Sequence, residues 1–236
     1  QANAIAANGH KVVAQQFSLG ASEFALNSAY LNATEQRQQQ TPYGNIIALN
    51  ENAAVLHYQH TQLDAPPASL SLLIDAGATY NGYASDITRS YLNPQQTDND
   101  TFAQLLQGME KIQGELVAAV KPGKSYIDLQ LAMHAQIAQL LVDTGIATCD
   151  VATLIDENLT QTFIPHGVGH LLGLQVHDVG GFASDSKGNT QASPEQHPYL
   201  RLTRTMEVDM VFTIEPGLYF IPMLLEQLQQ SSHQNL

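Results

Sequence analysis

A chain of 236 residues with 44% hydrophobic side chains can build one well-packed domain, is short for two, and is too apolar to be disordered. Its 22 acidic against 9 basic residues give a net charge of −13, which makes nucleic acid and anionic membrane surfaces poor partners because their phosphates are repelled. The single Cys149 excludes an intrachain disulfide and fits a reducing compartment; with no apolar run of ~20 residues and no signal pattern at the start, the expected location is the cytoplasm.

In chain order, residues 1–18 and 22–38 are expected to form two helices, separated at Gly20, with Ser22 as the N-cap of the second. Pro42 breaks that pattern. Residues 45–49 and 53–58 read as strands around the turn Asn50-Glu51-Asn52. Residues 70–74 form an apolar run of strand length. Asn81-Gly82 is a strong hairpin signal, with a return strand over 83–91. An amphipathic helix is expected over 97–120, stopped by Pro122-Gly123. Ser125 with Asp128 makes a capping-box start for another helix, which Gly145 ends. Residues 163–176 and 210–220 read as strands around a polar loop, 181–198. The helix-helix-strands order occurs twice. It predicts an α+β domain with helices on one face of a curved, mostly antiparallel sheet, the other face being open to a site.

Three segments carry the chemistry. Ser-Leu-Leu-Ile-Asp-Ala-Gly-Ala-Thr-Tyr-Asn-Gly-Tyr-Ala-Ser-Asp holds Asp75 and Asp86, which the hairpin should bring nearly opposite each other. Two carboxylates that close repel unless one is protonated or a cation sits between them. Pro-His-Gly-Val-Gly-His holds His166 and His170, with His177 seven residues on. Its glycines argue against a helix and for close backbone approach. Glu215, in Phe-Thr-Ile-Glu-Pro-Gly, is a carboxylate within an apolar strand, costly unless paired or metal-bound. Carboxylates with one imidazole suit a hard or borderline divalent ion. His10, His60, His134, His197 and His233 lack such context and are assigned no role.

These residues resemble the metallopeptidases of the pita-bread fold: methionine aminopeptidase, aminopeptidase P and prolidase. The segment Pro-Tyr-Gly-Asn-Ile-Ile-Ala-Leu-Asn-Glu-Asn-Ala-Ala-Val-Leu-His-Tyr and the long insertion before Glu215 are most similar to bacterial Xaa-Pro dipeptidase. The resemblance implies metal ligation by Asp75, Asp86, His170 and Glu215. It implies two divalent ions, Mn²⁺ first, with Co²⁺ or Zn²⁺ as alternatives. Glu215 would also shuttle a proton, while His57 and His177 would flank the site and steady the tetrahedral intermediate and the prolyl end, with His166 as a third pocket histidine. The implied activity is hydrolysis of dipeptides ending in proline, with organophosphorus esters as side substrates, in a full-length protein expected to be a homodimer. An aminopeptidase P-like exopeptidase and an inactive binding module of the same fold are the alternatives.

The family's last glutamate ligand is expected on a strand beyond Leu236, and its smaller N-terminal domain ahead of Gln1. The chain therefore reads as one incomplete catalytic domain over 1–236, expected by itself to bind at most one ion tightly.

Overall fold

The computed structural model describes residues 1–93 and 100–232. They group into two compact units, Gln1–Asp100 with Leu172–Val176, and Thr101–Leu171 with His177 onward. Each unit has its own core.

In the first unit, α1 (Ala2–Ser18) buries Ala2, Ala6, Val13 and Phe17 along one stripe, as a 3.6-residue period requires. Helix α2 (Glu23–Thr34) starts where expected, with the Ser22 hydroxyl accepting the Ala25 N–H at 3.2 Å. It ends before residue 38, because Glu35 turns into the left-handed region and a short 3-10 turn follows at Gln38–Gln40. Strands β1 (Ile46–Leu49), β2 (Ser71–Asp75) and β5 (Thr88–Leu92) form an antiparallel sheet in the order β1-β2-β5. Val13, Phe17, Leu26 and Tyr30 from the two helices pack on Ile47, Leu49, Leu72 and Ile74. Ile46 and Ala48 face the other way, against Tyr58. Burial on both faces explains why β1 is a continuous apolar run.

The strand expected over 53–58 does not form. A 3-10 turn occupies Asn50–Ala54 and a turn follows. Val55 and Leu56 are exposed, so their alternation meets no buried face. Side chains take the bonds that a ladder would have made. Asn50 Oδ1 accepts the Leu70 and Ser71 N–H groups. The buried Glu23 carboxylate accepts from Leu49 N–H, Asn52 Nδ2, the Tyr58 hydroxyl and Gln62 N–H, at 2.6–2.9 Å.

The hairpin forms at the expected turn. Asn81 (φ 51°) and Gly82 (φ 83°) join β3 (Thr79–Tyr80) to β4 (Tyr83–Ala84) with both central residues at positive φ, the type I′ geometry that matches strand twist. The return strand is split, since Ser85–Ile87 lies outside β4 and β5. Its register nevertheless continues, through Ser85 N–H to Ala78 O at 2.9 Å and Ala76 N–H to Ile87 O at 3.1 Å.

In the second unit, α3 (Asp100–Ala119) and α4 (Tyr126–Asp143) match the two expected helices; the expected start at 97–99 lies outside the described residues. Ser125 caps α4 through the Ile127 N–H, one residue short of the capping-box bond. Gly145, at φ 70°, follows its end. Met133, Ile137 and Leu141 of α4 pack with Leu116 of α3 and with Leu154, Phe163, Leu200 and Met206. Helices α5 (Val151–Asp156) and α6 (Pro222–Gln229) were not expected. Pro222 opens α6, and Leu225 and Leu228 pack on the core. The strands expected at 163–176 and 210–220 are irregular. One antiparallel bridge, Leu171 to Phe212, survives, extended by Thr213 N–H to His170 O and Glu215 N–H to Val168 O, both 2.9 Å.

Candidate metal centre

Asp75 ends β2, where it pairs with Thr88, while Thr79 pairs with Ala84. The same register puts Asp86 two residues from Asp75's partner. The two aspartates are therefore diagonal neighbours on one face rather than directly opposed. Between them the chains close tightly. A Cβ on Gly77 would come within 2.0 Å of Ser85 O and 2.9 Å of the Tyr43 ring, so only glycine fits. The Tyr43 hydroxyl lies 2.7 Å from Asp75 Oδ1 and 2.8 Å from Asp86 Oδ1. Burial first, and then the two carboxylates, hold this phenol far above its ordinary range. A phenol has one proton and carboxylates only accept. Two carboxylates converging on one phenol would be stabilised further by a cation. His10, buried in α1, bonds the Ala76 carbonyl through Nε2 at 3.0 Å and steadies the backbone beside Asp75.

The second unit holds His170 and Glu215. The His170 N–H donates to Thr213 Oγ1 at 3.0 Å, and its Nδ1 donates to Leu171 O at 2.9 Å. Its Nε2 lies 3.1 Å from Glu215 Oε1, which also accepts from the Thr213 hydroxyl at 2.9 Å. An imidazole held by a backbone carbonyl, with its other nitrogen toward a carboxylate, is an arrangement that suits a metal-ligating histidine. Either a proton on Nε2 or a metal cation can bridge Nε2 and Oε1 at this distance. Gly169 permits this packing. A Cβ there would lie 2.4 Å from both Thr213 O and the Tyr126 hydroxyl, and that hydroxyl donates to Thr213 O at 2.7 Å.

Among the described residues, no group of three or more His, Cys, Asp or Glu side chains forms a metal cage; the expected ligands come as two pairs, one per unit. The His177 ring stands edge-on to His170, with centroids 4.3 Å apart. His166 bonds Gly167 O through Nδ1 at 2.8 Å and the Tyr219 hydroxyl through Nε2 at 3.1 Å. His57 is exposed on the turn after Asn50–Ala54. His166 also lines a pocket of about 450 Å³ with Gln130, His134, Pro165, His197 and Tyr199. His134 and His197, given no role from sequence, stack there with centroids 4.5 Å apart. Tyr43, Thr213 and Gln130 had not been singled out either. Only the last carried a signal, a polar residue on the apolar stripe of α4.

The profile of metallopeptidase family M24 matches residues 1–232. The Xaa-Pro dipeptidase of Shewanella piezotolerans (strain WP3 / JCM 13877) is 50% identical over 234 residues, 99% of this chain and 52% of that protein. The chain thus spans about half the length of the curated relatives it matches. A histidine-to-alanine variant of Escherichia coli aminopeptidase P superposes with a TM-score of 0.77 at 28% identity, over 94% of this chain and 46% of that one. The zinc-substituted E. coli aminopeptidase P in complex with product gives 0.71 at 29%, over 93% and 46%. The fold is the α+β pita-bread fold expected from the sequence. This chain belongs to metallopeptidase family M24.

Proposed function

We propose that the chain is part of an Xaa-Pro dipeptidase, in which Asp75, Asp86, His170 and Glu215 hold two divalent ions, Mn²⁺ before Co²⁺ or Zn²⁺. The observation that carries this reading is the convergence of ligand-type groups in two pairs: Asp75 and Asp86 on one phenol, and His170 Nε2 on Glu215 Oε1. Half-identical relatives named Xaa-Pro dipeptidase supply the substrate class. When bound, the ions supply a Lewis acid for the scissile carbonyl and a water acidic enough to attack near neutral pH. Glu215, beside its ligand position, accepts the proton of that water and passes it to the leaving proline nitrogen. His177, packed on His170, donates to the carbonyl oxygen as charge develops there. His166 and His57 orient the prolyl end.

The same chemistry extends to P–F and P–O bonds of organophosphorus compounds as a side activity. The full-length protein is proposed to be a cytoplasmic homodimer acting on small peptides. Among the described residues no helix is long and apolar enough to cross a membrane. The likeness to aminopeptidase P supports one second reading, an exopeptidase that removes the residue preceding proline from longer peptides. Assaying the full-length protein on Ala-Pro, Leu-Pro and Ala-Pro-Ala with Mn²⁺, alongside elemental analysis of the chain, separates these readings. Hydrolysis of dipeptides alone supports the dipeptidase, and cleavage of the tripeptide supports the second reading. No bound metal and no hydrolysis refutes both.

A further inference from the structure

Gln130 and His134 stand one turn apart on α4, both buried, at positions where the apolar stripe calls for Leu or Met. The hydrogen bonds fix how each is oriented. The Val168 N–H can only donate, so the Gln130 atom 2.7 Å from it is Oε1. The Gln130 Nε2 is then a donor, and its two neighbours accept: His134 Nε2 at 2.9 Å and His197 Nδ1 at 3.4 Å. His134 must therefore carry its proton on Nδ1, which donates to the buried Thr160 Oγ1 at 2.8 Å. The chain of donors runs from Val168 through Gln130 and His134 to Thr160, each partner setting the orientation of the next. Val168 lies midway between His166 and His170, and its carbonyl accepts the Glu215 N–H.

We propose that Gln130 and His134 act as a positioning clamp, locking the Gln130 amide so that it holds segment 166–170 and aims His170 at Glu215. The geometry stands by itself; its consequence for metal binding rests on the function proposed above. Neither residue is a catalytic residue. A His134 in the other tautomer would face the Gln130 Nε2 with a second donor, turn the amide over, and set a donor against the Val168 N–H.

The test begins with unmodified protein. Imidazole ¹⁵N shifts should report His134 as the Nδ1–H tautomer near neutral pH, and the Val168 amide should exchange slowly. In His134→Leu the amide loses its partner, and Val168 exchange should rise about tenfold, the size of one lost hydrogen bond. His134→Gln supplies a side-chain carbonyl that can accept from Gln130 Nε2 and should restore slow exchange. Affinity for Zn²⁺, used as the probe ion, should fall about tenfold in His134→Leu and return in His134→Gln. An Nε2–H tautomer, equal exchange in the two variants, or a Zn²⁺ affinity that ignores both substitutions overturns the clamp. If His134→Leu does not fold, the unmodified tautomer and His134→Gln decide it. A chain that binds no metal, yet shows the expected tautomer and Val168 response, refutes the proposed function and keeps the clamp.

Discussion

The His134→Gln substitution also reads out in stability against pH. Burial, followed by the charges of His197 and His166, lowers the His134 pKa from the ordinary imidazole value to about 4. The unfolded chain therefore binds a proton near pH 6.5 that the folded chain refuses until about pH 4. The contribution is fully present above the unfolded value and is lost as pH falls between the two. Between about pH 7.5 and about pH 4.5 the linkage amounts to ~2.5 kcal/mol. His134→Gln cannot titrate, and its stability should be that much flatter over the same range. His10 and His197 are also held below their ordinary values by burial and contribute in the same direction. They remain in both proteins, so the difference between the two curves reports His134 together with its coupling to His197. Urea unfolding at the two pH values, followed by far-ultraviolet circular dichroism, measures it. Parallel curves for the two proteins would refute a buried neutral His134.

Glu23→Gln should destabilise by ~3 kcal/mol in urea unfolding, because an amide nitrogen then faces donors such as the Tyr58 hydroxyl and Gln62 N–H; a loss below ~0.5 kcal/mol would mean that this buried hub is not what replaces a strand after β1. Tyr43→Phe removes the proton shared by Asp75 and Asp86 and should cost ~1–3 kcal/mol in chelator-treated protein, with unchanged stability counting against the shared bond. In the full-length protein, Asp86→Ala should abolish dipeptide hydrolysis, whereas His177→Ala should keep its metal and lose ~10²–10⁴ in turnover. Loss of metal in His177→Ala would make that histidine a ligand instead.

What was legible in the sequence followed from local rules. Ser22 and Ser125 are caps whose hydroxyls reach the next amides, and Asn81-Gly82 turns the chain with both residues at positive φ. The failures have different causes, the first being competition by side chains for backbone partners. Residues 53–58 alternate like a strand, but the side chains of Glu23 and Asn50 take the flanking amides of Leu49, Gln62 and Leu70. The return strand after Gly82 kept its register and lost its regularity where Ser85 O crowds Gly77. Helix α6 went unread because its three leucines lie among glutamines, although Pro222 at its start is a helix-opening signal.

The site divides along the same line. Ligands must be particular groups, carboxylates or imidazoles, and they occur in short segments that a reader can recognise. Their supports need only a donor at the right place, which almost any hydroxyl or amide supplies. Tyr43 reaches Asp75 from 32 residues away, Tyr126 reaches the Thr213 carbonyl from 87, and Gln130 reaches Val168 from 38. No spacing encodes these contacts, because each is fixed only after the helices and strands have packed. The supports also determine what the ligands can do. In the proposed metal site, Nδ1 of His170 is committed to Leu171 O, which makes Nε2 the coordinating nitrogen. With the Thr213 hydroxyl on one oxygen of Glu215, the other oxygen is the one left to take a proton. Specificity of chemistry in this chain is therefore written twice, once in residue type and once in hydrogen bonds that only the folded units supply.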